Sequence, residues 1–172
     1  MEYSNQDFEN ENFKEINFSN KDFSNSRFCD STFENCNLSN VKLDNSKFQY
    51  VIFKNCKLLG LDFSKCNLFM INFEFEDCII STSVFAEMKL KNTIFKNCKI
   101  KDCDFMDSDL TSANFEGSDL SGTIFQKANL SFTSFVNAKN YSINPNENFL
   151  RKTKFSLPEV VSLLDTFDIE IK

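Results

Sequence analysis

The chain has 172 residues, 22 of them Phe, with no Trp, no His, three Gly and two Pro, enough for one domain with a substantial core but far from ordinary globular usage. Lacking His, it has neither the commonest metal ligand nor the commonest neutral-pH general base, which removes His-dependent triads and most zinc hydrolases. A net charge of −6 disfavours direct binding to nucleic acid, which needs a basic footprint.

In chain order, Met1 to Asn12 is polar and acidic, so no signal peptide is expected, and no stretch approaches the roughly 18 apolar residues of a membrane span. A cytoplasmic location is expected. Seven Cys, an odd number, then fit reduced thiols. From Phe8 a large apolar residue recurs every fifth position: Phe8, Phe13, Phe18, Phe23, Phe28, Phe33, Leu38, Leu43, Phe48, Phe53, Leu58, Phe63, Leu68, Phe73. The series resumes two residues late with Ile80, Phe85, Leu90, Phe95 and Ile100, and continues through Phe105, Leu110, Phe115, Leu120, Phe125 and Leu130 to Phe135. Two positions before each centre stands a smaller residue such as Cys36, Val41, Ser46, Ala113 or Thr123. On extended backbone these two side chains point the same way while the rest face water.

Period five fits neither an α-helix nor a flat strand. It fits a chain that turns a corner at every fifth residue, giving a square coil of about 20 residues stacked at the ~4.8 Å inter-strand spacing. Segments such as Ala113-Asn114-Phe115-Glu116-Gly117, Ser118-Asp119-Leu120-Ser121-Gly122 and Ala128-Asn129-Leu130-Ser131 resemble the pentapeptide-repeat family, and the resemblance extends from about residue 6 to residue 140. It implies an all-β solenoid, a right-handed quadrilateral parallel β-helix.

The expected register puts the two extra residues at 74–77. One wall then stacks Phe13, Phe33, Phe53, Phe73, Phe95, Phe115 and Phe135, with Lys14, Glu34, Lys54, Glu74, Lys96 and Glu116 alternating in sign outside it. The next wall carries Leu38, Leu58, Ile80, Ile100 and Leu120, with Cys36, Cys56, Cys78, Cys98 and Ser118 in the small slot, and the corner between them stacks Asn35, Asn55, Asp77 and Asn97. After Asn140 the period fades, so residues 1–140 are read as the solenoid and 141–172 as a cap. Within the cap, Ser156 to Glu159 reads as a capping box opening a helix at about 157–166, and Asp168 to Lys172 as a short strand. Leu157, Val160, Val161, Leu164, Phe167, Ile169 and Ile171 are the expected dimer contacts.

Two further surfaces are candidates for a protein partner. Asp102, Asp104, Asp107, Asp109, Glu116 and Asp119 form an acidic run without intervening Lys or Arg, readable either as an imitation of duplex phosphates or as an ordinary solvated surface whose members wrap round different faces. Arg27, Lys47, Lys89 and Lys91 leave another face mixed or basic. Around the insertion, Leu59, Phe69, Met70 and Phe75 form a candidate apolar patch, unless Phe75 folds back to seal the discontinuity. Six Cys read as small core residues, whereas Cys29, directly after a centre, is expected to face solvent and react. No cofactor, metal site or catalytic residue is expected, and the chain is read as a non-enzyme. The family's quinolone-resistance members, the Qnr and MfpA proteins, dimerise through a C-terminal helical segment and act on DNA gyrase or topoisomerase IV by imitating DNA. The resemblance implies a homodimer with such a partner; the alternative is a scaffold for an unrelated protein.

Overall fold

The computed structural model describes residues 3–167 and 169–170. Parallel strands of two to four residues line four walls, and pairing partners lie one coil apart: Asp7 opposite Arg27 in the first wall, Asn12 opposite Thr32 in the second, Lys99 opposite Asp119 in the third and Asp104 opposite Ile124 in the fourth. Every fifth residue points to the axis. Phe18, Phe28, Phe33, Phe85, Phe95, Phe105 and Phe115 are fully buried, and rings one coil apart stack nearly flat, as for Phe95 and Phe115 at 4.8 Å and 1°. Rings on adjacent walls meet edge-on, Phe95 and Phe105 at 89°. Burial of each such ring contributes about 1.5–3 kcal/mol, opposed by chain entropy.

The corners explain the abundance of Asn. Asn35, Asn55, Asp77 and Asn97 share one corner and all have φ between 50° and 54°, a left-handed conformation costly for most side chains and tolerated by Asn, Asp and Gly. Asn55 donates from its side-chain amide to that of Asn35, extending the column. At Gly117 the stack ends differently, because the side-chain oxygen of Asn97 below occupies the space a Cβ would need. Just before many centres, an Asn or Asp side chain accepts the backbone N–H two residues on, as Asp62 does from Ser64, Asp104 from Met106 and Asn129 from Ser131.

The two extra residues lie elsewhere than the spacing predicts. Phe75, not Phe73, stacks between Phe53 and Phe95, at 5.1 and 5.0 Å with the rings within 9° of parallel. Its strand, Phe73–Glu76, pairs Val51 with Phe73 and Phe53 with Phe75, a separation of 22 residues. Phe73 therefore stands in the slot that Val51 fills one coil below. The insertion is at 67–72, where the chain leaves the first wall: the sheet formed by Asp7–Glu9, Arg27–Cys29 and Lys47–Gln49 stops there, and pairing resumes with Lys89 opposite Asp109. Leu68 swings outward as a result. Two oversized residues in small slots, Phe73 and Met88, are buried, and the Phe73 ring lies 5.5 Å from Phe48 in the coil below. The outer charge column still alternates, with Glu76 in the place expected for Glu74, and Lys14–Glu34 and Lys54–Glu76 pair at 2.8 and 3.5 Å.

Coiling also continues past Asn140. Ser142–Ile143 pairs with Ile124–Phe125 at a separation of 18, and Lys154–Phe155 pairs with Ser134–Phe135 at the usual 20. The shortened side is made up by a turn in which the Asn144 side chain accepts the N–H of Asn146. Phe155 stacks on Phe135 at 5.4 Å and 7°. The tail then forms a helix of the 3-10 type, Glu159–Phe167, where a helix is expected at about 157–166. The hydroxyl of Ser156 is not a helix cap; it accepts the backbone N–H of Asn137 from the coil below. Leu163 packs on the core, and the Ser162 hydroxyl donates to the carbonyl of Tyr141. At the expected terminal strand, Ile169 and Glu170 are non-strand, and Asp168, Ile171 and Lys172 lie outside the described residues. At the opposite end Tyr3 packs over Phe18 and Phe23, at 5.1 and 5.7 Å.

Candidate interaction surfaces

The six carboxylates of the acidic run are separated by the coil. Asp109 lies on the first wall, Asp119 on the third and Asp104 on the fourth. Glu116 is on the second, just after Phe115, and Asp102 and Asp107 hold corners with φ of 52° and 55°. Most of them have architectural work. Asp104 accepts from the N–H of Met106, Asp109 from the N–H and hydroxyl of Thr111, and Asp119 from those of Ser121. The hydroxyl of Ser121, followed by the Asn140 amide, holds the Asp119 carboxyl below its usual range. Burial opposes ionisation of Asp109, yet the hydrogen bonds from Thr111 outweigh it, and Lys91 pairs with Asp109 at 3.2 Å. The acidic run is thus mainly turn chemistry repeated at the period of the coil.

The apolar patch is divided too. Phe75 is fully buried in the ladder, correcting its candidacy as a surface residue, and Leu59 is half-buried on the third wall. Phe69 and Met70 are 74% and 59% exposed, and the insertion places Leu68 beside them, also exposed. Leu68 was missed as a surface residue because it falls on the five-residue beat, and Tyr50, exposed at the corner with φ 54°, because it sits at a phase usually held by Asn. Beside the loop is a shallow hollow of about 260 Å³ lined by Ser64, Leu68, Ala86 and Glu87.

At the C-terminal end, Leu157, Val161, Leu164, Phe167 and Ile169 are exposed, while Val160 is half-buried; Ile171 lies outside the described residues. One side of the 3-10 helix therefore seals the last coil and the other presents apolar side chains to solvent.

The thiols are internal. Cys36, Cys56, Cys78 and Cys98 occupy one column, and their Sγ atoms donate to the carbonyls of Phe13, Phe33, Phe53 and Phe75 at 3.3 to 3.5 Å. Ser118 continues the column, its hydroxyl donating to Phe95 at 2.6 Å. Cys29 is buried as well, contrary to expectation. Its thiol donates to the Asp30 carboxylate at 3.1 Å, and that hydrogen bond, followed by desolvation, raises its pKa and disfavours the reactive thiolate. Among the described residues no group of three or more His, Cys, Asp or Glu converges as a metal site, and no helix is long and apolar enough to cross a membrane.

The fold is similar to that of solved relatives. Trypsin-treated QnrB1, a plasmid-mediated fluoroquinolone resistance protein, superposes with a TM-score of 0.71 at 16% identity, covering 99% of this chain and 93% of that one. A second trypsin-treated QnrB1 variant gives a TM-score of 0.53 at 19% identity, covering 99% and 92%. No curated protein matches in sequence. The profile described as "Pentapeptide repeat region" matches residues 6–74 and 46–125, together more than half of the sequence, and the chain belongs to the pentapeptide-repeat family.

Proposed function

We propose that this protein is a non-catalytic, cytoplasmic solenoid that works by presenting a surface to another protein, with the 67–72 loop as its principal contact. One observation carries this reading: where the coil breaks its spacing, the chain places Leu68, Phe69 and Met70 consecutively in solvent, while Phe73 and Met88 are buried in the core. Exposed apolar residues gathered on a rigid support mark interaction sites.

DNA gyrase or topoisomerase IV is the first partner to test, because the likeness to QnrB1 spans nearly the whole chain. The distribution of the acidic run over four walls favours recognition through the loop over imitation of duplex charge. Purified protein at micromolar concentration is expected to relieve fluoroquinolone inhibition of gyrase supercoiling, and Phe69→Ser with Met70→Ser to abolish that relief. No change in supercoiling at any fluoroquinolone dose would remove the topoisomerase reading, leaving the scaffold for an unrelated partner.

The tail is proposed as the homodimer contact, through Leu157, Val161, Leu164, Phe167 and Ile169. Leu164→Asp with Phe167→Asp is expected to halve the sedimentation mass with little change in the melting transition, since these side chains are exposed and Leu163, which packs on the core, is kept. An unchanged mass would reject this contact.

A further inference from the structure

Resting on the reading that the 67–72 loop is the contact surface, we infer that it docks an acidic protein segment bearing at least one large apolar side chain. The first wall supplies the positive charge. Arg27 and Lys47 are directly opposite in the strand register, and Asn67 continues the position, its N–H bonded to Ser46 O as that of Lys47 is bonded to Ser26 O. Lys89 and Lys91 follow on the same wall in the next coil, and Lys65 stands two residues before Asn67. All four lysines around the loop, Lys47, Lys65, Lys89 and Lys91, are exposed.

Some stacked cations are matched with carboxylates one coil away: Lys14 with Glu34, Arg27 with Asp7, Lys42 with Asp22 and Lys54 with Glu76. Among the described residues Lys47, Lys65 and Lys89 belong to none of the ion pairs, and only Lys91 has a partner, Asp109 at 3.2 Å. Like charges directly opposite in a parallel register, as Arg27 and Lys47 are, are unfavourable, and Lys47, Lys65 and Lys89 place positive charge without an ion-pair partner around exposed Tyr50, Leu68, Phe69 and Met70. An anionic partner supplies the missing complement.

The hollow beside the loop selects a protein over a nucleic acid. Leu68 and Ala86 give it an apolar wall that takes a side chain such as Leu or Phe, and Glu87 on its rim repels a phosphate backbone. The overall negative charge adds long-range repulsion for a polyanion.

The test uses the full chain and fluorescein-labelled probes read by anisotropy: a short Gly/Ser peptide carrying several Glu around a Phe-Leu pair, the same peptide with Lys for Glu, the same with Ser for Phe-Leu, and an oligothymidylate. The Glu/Phe-Leu peptide is expected to bind, and more weakly as salt rises. Removing either its charge or its apolar pair is expected to weaken binding by about tenfold or more, as are Lys47→Glu with Lys89→Glu and Phe69→Ser with Met70→Ser. Unchanged melting curves would verify that the exposed-site variants fold. Equal or tighter binding of oligothymidylate, equal binding by the variants, or no binding of the acidic peptide would overturn the inference. If that peptide binds while gyrase is unaffected, only the topoisomerase reading falls; if gyrase responds and the peptide does not bind, only the acidic-segment assignment falls.

Discussion

Phe75→Ala is expected to lower the unfolding free energy by about 3–5 kcal/mol, in the range for deleting a fully buried aromatic ring without a collapsing neighbourhood. Phe75 has no exposed surface and loses two near-parallel stacks, to Phe53 and Phe95, together with edge contacts to Phe63 and Phe85 at 6.1 and 6.2 Å. The surrounding coils cannot close over the cavity, because each coil is pinned to the next by the unbroken five-strand ladder of the second wall at a fixed inter-strand spacing of about 4.8 Å. Leu68→Ala, in the insertion that precedes the Phe75 strand, is expected to change stability by no more than about 0.5 kcal/mol because its side chain is already outside. Denaturant midpoints of the two variants decide between registers. A costly Leu68→Ala beside a neutral Phe75→Ala would restore the arrangement in which Leu68 and Phe73 are central and Phe75 projects from a bulge.

That contrast also shows what the sequence could and could not disclose. The five-residue beat requires a four-cornered coil, and the Asn and Asp at fixed phases mark its corners; this held because each pentapeptide contributes the same local bargain between a buried centre and a left-handed corner. The Asn35, Asn55, Asp77 and Asn97 corner and the Cys column were legible for that reason. The insertion was not. Phe73 and Phe75 are two apart on one strand, so both point inward, and counting by five from Phe53 through Phe63 and Leu68 reaches Phe73 first. Choosing Phe75 requires knowing that Phe73 packs against Phe48 and Phe63 while Leu68 stays outside, a packing fact that no window of one coil contains. The final coil was missed for a related reason, since Ile143 arrives two residues early and the turn at 144–147 restores the count by Phe149, opposite Asn129. In the acidic run, adjacency in sequence becomes dispersal round a square: Asp104, Asp109 and Asp119 are five, ten or fifteen residues apart and therefore on different walls, each holding its own turn. In the tail the presence of a helix was legible, but which of its apolar residues pack on the last coil, as Leu163 does, and which stay exposed, as Leu164 and Phe167 do, was not, because that depends on the coil beneath.

Stability should fall steeply as the solution is made alkaline, and the buried thiols determine the sign. Burial pushes the Cys103 thiol up to about 11. In the column, the hydrogen bond with Cys36 favours ionisation of Cys56, but the one with Cys78 and desolvation outweigh it and take the pKa to about 12. Cys78 behaves likewise between Cys56 and Cys98, also reaching about 12. Desolvation raises Cys66 still further, and the thiol of Cys56, then burial, raises Cys36. An unfolded thiol ionises near about 8.5. Above that pH the unfolded chain has lost protons that the folded chain retains, so the stability contributed by each protonated thiol is complete below about 8.5 and is lost progressively until the folded pKa is reached. Each such group lowers the unfolding free energy by about 1.4 kcal/mol per pH unit in that window, and Cys56, Cys78 and Cys103 together by about 4. Denaturant melts at successive pH values between about 8 and 11 measure this slope, with a reducing agent present. Cys56→Ser with Cys78→Ser is expected to flatten it by about 3 kcal/mol per pH unit without loss of the fold, because Ser118 already occupies the next slot of the column and donates to a backbone carbonyl as the thiols do. Lysine and tyrosine titrations act equally on both proteins and cancel in the difference, so an identical alkaline slope for the two would show that these thiols ionise as readily inside the coil as in the unfolded chain.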